Sequence, residues 1–132
     1  MCEHNKRSKN TCSNAPGAVY ALKLYNATQE SDYLEQGKSL YEWTKENLRD
    51  PEDHLYWDNI ALGGSIDKTK YADNSGQMIQ AGALLYKATG EQQDLEDAYA
   101  TAGSAYDYFF AEIVMQDGST SRILKGGNIW FN

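Results

Sequence analysis

Asp58 and Asp67 share a polar, aromatic stretch of the chain with Tyr56, Trp57, Tyr71 and Asn74. Those residue types suit carbohydrate. Carboxylates and amides bind hydroxyl groups, and flat aromatic faces cover the C–H side of a sugar ring. Two carboxylates could also act as general acid and nucleophile of a hydrolase. Loop aspartates more often cap helices, turn the chain or bind hydroxyls, so Asp58 and Asp67 are expected to bind and not to react. Tyr56, Trp57 and Tyr71 are expected to offer stacking faces, against the plainer role of packing the loop onto the helices. Asn74 either contacts a substrate or caps the helix that follows it. No catalytic residue is assigned in this chain.

Composition narrows the classes. A length of 132 residues suffices for one domain with a modest core. The net charge of −7 argues against a nucleic-acid or anionic-membrane partner, since both call for clustered Lys and Arg. No apolar run approaches the roughly 18 residues that a membrane helix needs. Met1-Cys2-Glu3-His4 is polar from the start, unlike a signal peptide, and the compartment stays unassigned. Ten Tyr and three Trp stand against three Phe, so most rings carry a polar edge. Cys2 and Cys12 are the only cysteines. They can pair, but free thiols are the simpler expectation. Cys2, His4 and Cys12 find no fourth ligand at suitable spacing, so no metal and no cofactor is expected.

The elements that must position these residues are helical. Residues 71–90 open on Asp73-Asn74-Ser75-Gly76, then carry Met78, Ile79, Gly82, Leu85 and Tyr86 at helical spacing, and end at Gly90. This pattern predicts a helix from about Ser75 to Thr89, kept thin by Ala81, Gly82 and Ala83. Gly90 is expected to take a positive φ. Upstream, Ser13-Asn14 with Pro16 in the first turn opens a helix to about Thr28. Asp32 opens another that Arg49-Asp50-Pro51 stops near Leu48. A fourth is expected from about Gln93 to Val114. Residues 50–75 and 116–127 read as long loops.

A repeat runs through this order. Leu24-Tyr25-x-Ala27-Thr28-x-Glu30 returns as Leu85-Tyr86-x-Ala88-Thr89-x-Glu91, an offset of 61 residues. The units are helical hairpins, about 13–50 and 74–115. Trp130-Phe131 falls where a third unit begins. Tight turns at 29–32 and 90–94 lie at one end of the helices, which sends the long loops to the other. That end gathers Asn10, Asn14, Tyr56, Trp57, Asp58, Asn59, Asp67, Tyr71, Asn74 and Trp130, with the positive ends of inner helices aimed at it.

At these residues the chain resembles glycoside hydrolase family 76, the α-1,6-mannanases, which are (α/α)6 barrels. The resemblance rests on Lys9-Asn10-Thr11-Cys12-Ser13-Asn14-Ala15-Pro16, on Tyr41-x-Trp43 and on Leu48-x-Asp50-Pro51. It continues through Leu55-Tyr56-Trp57-Asp58-Asn59-Ile60, Gly64-Ser65-Ile66-Asp67 and Tyr71-x-x-Asn74-x-Gly76-Gln77. Asp73 departs from it, where the family often has an aromatic. The resemblance implies an all-α fold built of αα-hairpin repeats, as part of one barrel domain over 1–132. It also implies a retaining hydrolase of α-mannan, with Asn14, Tyr56, Trp57, Asp58, Asp67, Tyr71 and Asn74 as substrate-binding candidates. Family members work with two adjacent aspartates, and this chain has no Asp-Asp pair. It therefore reads as a fragment that is inactive alone, with barrel edges open to self-association. A solenoid-type protein-binding module is the rival from another class, but it would have short loops. A non-catalytic carbohydrate-binding protein is the third reading.

Overall fold

The computed structural model describes residues 8–114 and 116–124. Four helices of equal length carry the fold. They are α1 (Thr11–Thr28), α2 (Ser31–Leu48), α3 (Ala72–Thr89) and α4 (Gln92–Phe109). The boundaries of α3 and α4 are those of α1 and α2 moved by the same 61 residues. Helix α1 packs against α2 and α3, and α3 packs against α4. The core between them joins Ala15, Ala18, Val19 and Leu22 of α1 to Met78, Ala81 and Leu85 of α3, with Tyr41 and Tyr56 closing it.

Both hairpin turns end a helix in the left-handed region. Gln29 takes φ 61 and Gly90 φ 77, and each donates its N–H to the carbonyl of a tyrosine, Tyr25 or Tyr86. This is the positive φ expected of Gly90. Gln29 does the same with a side chain, which reaches back to the carbonyls of Tyr25 and Asn26.

The all-α expectation is corrected at the long loops. Residues 57–61 and 66–70 are strands β2 (Trp57–Ala61) and β3 (Ile66–Lys70), and β1 (Ser8–Asn10) adds to them in the order β1-β2-β3, all antiparallel. A turn centred on Gly64, φ 93, joins β2 to β3. The fourth helix stops at Phe109 and not at Val114, because Phe110 is extended and opens β4 (Phe110–Val114). Strand β5 (Thr120–Leu124) pairs with it around Gly118. The helices α1 and α3 also begin three or so residues earlier than expected, with Asn10 and Tyr71 as N-caps. Pro16 thus sits inside α1. Cys2, His4, Trp130 and Phe131 lie outside the described residues.

The connection between α2 and α3 reaches helix α4. Thr101 Oγ1 of α4 donates to the carbonyl of His54 at 2.9 Å. Lys70 at the end of β3 lies 5.6 Å from the ring of Tyr108, near the end of α4. Helix α4 is also joined to α2, where Asp97 binds Lys45 and Arg49. Among the described residues no helix is long and apolar enough to cross a membrane.

Candidate functional site

Two helix N-termini converge on strand β2. Thr11, the first residue of α1 and fully buried, donates its hydroxyl to the carbonyl of Trp57 at 2.6 Å. Asn74, in the first turn of α3, donates its amide to Asp58 Oδ1 at 3.2 Å. The other oxygen of Asp58 accepts from Asn59 Nδ2 at 2.8 Å. Two amide donors thus fix the orientation of this carboxylate.

The hairpin that carries Asp58 is anchored from below by a compact ionic cluster. Lys70 donates to Asp50 at 2.8 Å and to Asp53 at 2.6 Å. The Lys70 hydrogen bond holds the Asp50 carboxyl below the usual aspartate range, helped by the Glu52 N–H and the Trp57 indole and opposed by burial. Burial alone would lower Lys70, but the hydrogen bonds it donates to Asp50 and Asp53 raise it. The Trp57 ring lies half-buried, 4.9 Å from the Lys68 ammonium.

The structure divides the candidates. Trp57, Asp58 and Tyr71 are half-buried at the junction of β2, β3 and the start of α3, and Asn14 is half-buried in the first turns of α1. Asn74 is 3% exposed and lies inside the first turn, since Tyr71 takes the N-cap position. The capping role weighed for Asn74 is therefore corrected, and its amide serves Asp58. Tyr56 is also corrected. It is 1% exposed within the core, its N–H donates to Ser75 Oγ, and burial pushes its phenol far up, so its ring offers no face for stacking. Asp67 is exposed on β3 opposite Asn59, and its carboxylate accepts from the N–H and hydroxyl of Thr69. Asp58 and Asp67 thus have separate partners and form no hydrogen-bonded acid pair.

Several organising residues gave little signal in the sequence. Thr11, Ser75 and Lys70 act through contacts between distant segments, which no local pattern reveals. His54 had no visible partner, yet Arg49 donates to its Nδ1 at 2.6 Å. Cys12 is disulfide-bonded, which overturns the expectation of free thiols. Among the described residues no group of three His, Cys, Asp or Glu side chains could hold a metal ion.

The geometry has close counterparts. A mannosidase from Bacteroides thetaiotaomicron matches 97% of this chain at 40% identity, with a TM-score of 0.88, and the match spans 36% of that protein. An α-1,6-mannanase from a Salegentibacter species matches 85% of this chain at 39% identity and TM-score 0.74, over 33% of its own length. That enzyme was solved with α-1,6-mannotetraose bound, as an inactive variant with two adjacent aspartates replaced. A Dfg5 protein from Chaetomium thermophilum, at 18% identity and TM-score 0.74, shares the fold. No curated protein matches. The chain thus spans about a third of the length of the first two. The model of glycosyl hydrolase family 76 matches residues 2–131, and the chain belongs to that family.

Proposed function

We propose that this chain forms part of the substrate-binding cleft of a retaining hydrolase of α-1,6-mannan, as a portion of an (α/α)6 barrel that lacks the catalytic pair. The observation that carries the reading is the convergence of the α1 and α3 N-termini on β2, where Asp58 is held by Asn59 and Asn74. Asp58 binds sugar hydroxyls, and the half-buried ring of Trp57 covers the C–H face of a mannose unit. Asn14, Tyr71 and the exposed Asp67 extend the surface on either side. The absence of any Asp-Asp pair from the sequence, beside a relative inactivated at two adjacent aspartates, supports binding without turnover.

Calorimetric titration with α-1,6-mannotetraose tests this. The expected result is binding by the wild-type chain, weakened by about 1–3 kcal/mol in Trp57→Ala if the ring stacks on sugar. Incubation with α-1,6-mannan should release no shorter products. Cleavage by this chain alone, lost in a folded Asp58→Asn variant, would overturn the assignment and move catalysis to Asp58.

A further inference from the structure

His54 stands in a conformation that favours glycine. Its φ is 67, and Gln29 is the one other non-glycine with a positive φ among the described residues. Gln29 ends a helix, where a left-handed residue is routine. His54 instead comes three residues before a strand, and there the crowding of its Cβ against the following carbonyl needs a compensation.

Three bonds from three places hold it. Its N–H donates to the Asp50 carbonyl at 2.8 Å, in the turn after α2. Its carbonyl accepts from the hydroxyl of Thr101, a buried residue of α4, at 2.9 Å. Its Nδ1 accepts from Arg49, the C-cap of α2, at 2.6 Å. Arg49 also donates to Asp97, so α2 and α4 together grip the ring and the carbonyl. Glycine would take this backbone without strain, but it would remove the acceptor for Arg49. A strained residue held on every side marks a place where geometry is being fixed.

What it fixes lies directly downstream. Leu55 is fully buried, its N–H donated to Asp53 Oδ1 and its carbonyl accepting from the Asp50 N–H. Tyr56 is also buried, donates its N–H to Ser75 Oγ of α3 and forms a bridge with Arg49. Strand β2 follows at once, with Trp57 and Asp58 as its first two residues. Side chains alternate along a strand, so the direction in which the chain leaves His54 decides which faces Trp57 and Asp58 occupy.

We propose that His54 is the positioning residue of the candidate sugar surface. Fixed by Arg49 and Thr101, it sets where Trp57 and Asp58 stand against the N-termini of α1 and α3. That role rests on the reading of Trp57 and Asp58 as sugar-binding groups, whereas the placement itself is read in the free chain.

Amide-detected NMR and calorimetry on three variants test it. His54→Gly keeps the backbone and removes the acceptor. His54→Asn tolerates the left-handed region and offers Arg49 an oxygen. Thr101→Val removes the other anchor at nearly constant volume. Each is checked by circular dichroism for native helix content. In the free chain, His54→Gly and Thr101→Val should displace or broaden the Trp57 indole and Asn74 side-chain amide signals. His54→Asn should return both to their wild-type positions. Binding of α-1,6-mannotetraose should weaken about tenfold in His54→Gly, the effect of one lost hydrogen bond to a charged group, and recover in His54→Asn. Should His54→Gly lose its helices, Thr101→Val decides. Unchanged free-chain signals in either folded variant, or signals as disturbed in His54→Asn as in His54→Gly, would overturn the proposal. Signals that move as expected in a chain that binds no mannotetraose would sustain the placement and overturn the sugar reading instead.

Discussion

The two helical hairpins have the same lengths but opposite close contacts. In the first, the glycine is on α2: a Cβ at Gly37 would lie 2.7 Å from Leu22 Cγ and 3.3 Å from the Ala18 carbonyl of α1. In the second, the glycine is on α3: a Cβ at Gly82 would lie 3.1 Å from the Tyr41 hydroxyl and 3.3 Å from the Asp94 carbonyl. Each hairpin has a glycine at its tightest approach, but the helix that carries it differs. The first has a second glycine on α1, where a Cβ at Gly17 would lie 3.3 Å from Leu40 Cδ1. Surroundings differ as well. The face of α2 that meets α4 is held through Lys45, Arg49 and Asp97, whereas Tyr99 and Tyr106 on α4 are exposed. A repeat thus fixes helix length and register, while the fit of each unit is set by what stands next to it.

The largest effect should come from separating the two units at Asp97. Its side chain is 8% exposed and faces two cations, so Asp97→Ala removes the carboxylate that Lys45 and Arg49 share, leaving Arg49 with His54 alone. The expected loss is about 3–5 kcal/mol of unfolding free energy, measured by urea denaturation. A loss below about 1 kcal/mol would mean that apolar packing alone joins the units. Burial raises the Asp97 pKa, but hydrogen bonds from Lys45 and Gln93 and the charges of Lys45 and Arg49 outweigh it and hold the carboxyl below 3.8. Its folded value is therefore depressed. The stability it contributes is present above the unfolded value and lost as pH falls through the folded one. Wild-type stability should drop below about pH 4, and the slope there should be shallower in Asp97→Asn.

Next in size is Gly37→Ala. The added methyl runs into Leu22, itself 2% exposed and unable to retreat freely, so a loss of about 1–3 kcal/mol is expected. Gly82→Ala meets its neighbours at longer distances and should cost less in the same assay. The reverse order would show that the first hairpin is the looser one.

The smallest effect has the opposite sign. Gln29 and Gly90 end the inner helices with the same left-handed geometry, but only Gly90 does so without a side chain in that region. Gln29→Gly should stabilise the chain by about 0.5–1 kcal/mol, after loss of the side-chain bonds to Tyr25 and Asn26. A destabilised variant in thermal melts would show that those bonds outweigh the backbone strain.

What was legible in the sequence followed from local chemistry. Helical spacing, Gly90, and Arg49-Asp50-Pro51 placed three helix ends at Thr28, Leu48 and Thr89, where they are found. Starts were harder, because Asn10 and Tyr71 act as N-caps without a side-chain bond to the helix. The strands were missed for a different reason. Gly63-Gly64 and Asp117-Gly118 are hairpin signals, but the short alternating runs beside them resembled aromatic loop and helix end. At the candidate site, Trp57 and Asp58 stood out by residue type as proposed sugar-binding groups. The burial of Tyr56 and the reach of Lys70 to Asp50 and Asp53 depend on contacts between segments far apart in the chain, and appear only once the fold is formed.

The most direct test of the central claim is an amide-detected NMR titration of this chain with α-1,6-mannotetraose. If the N-termini of α1 and α3 and strand β2 form a sugar-binding surface, the shifts should concentrate at the Trp57 indole, the Asn74 side-chain amide and the backbone of β2. The outer faces of α2 and α4 should stay unchanged. Shifts confined to those outer faces, or a spectrum unaltered at saturating sugar, would contradict the account.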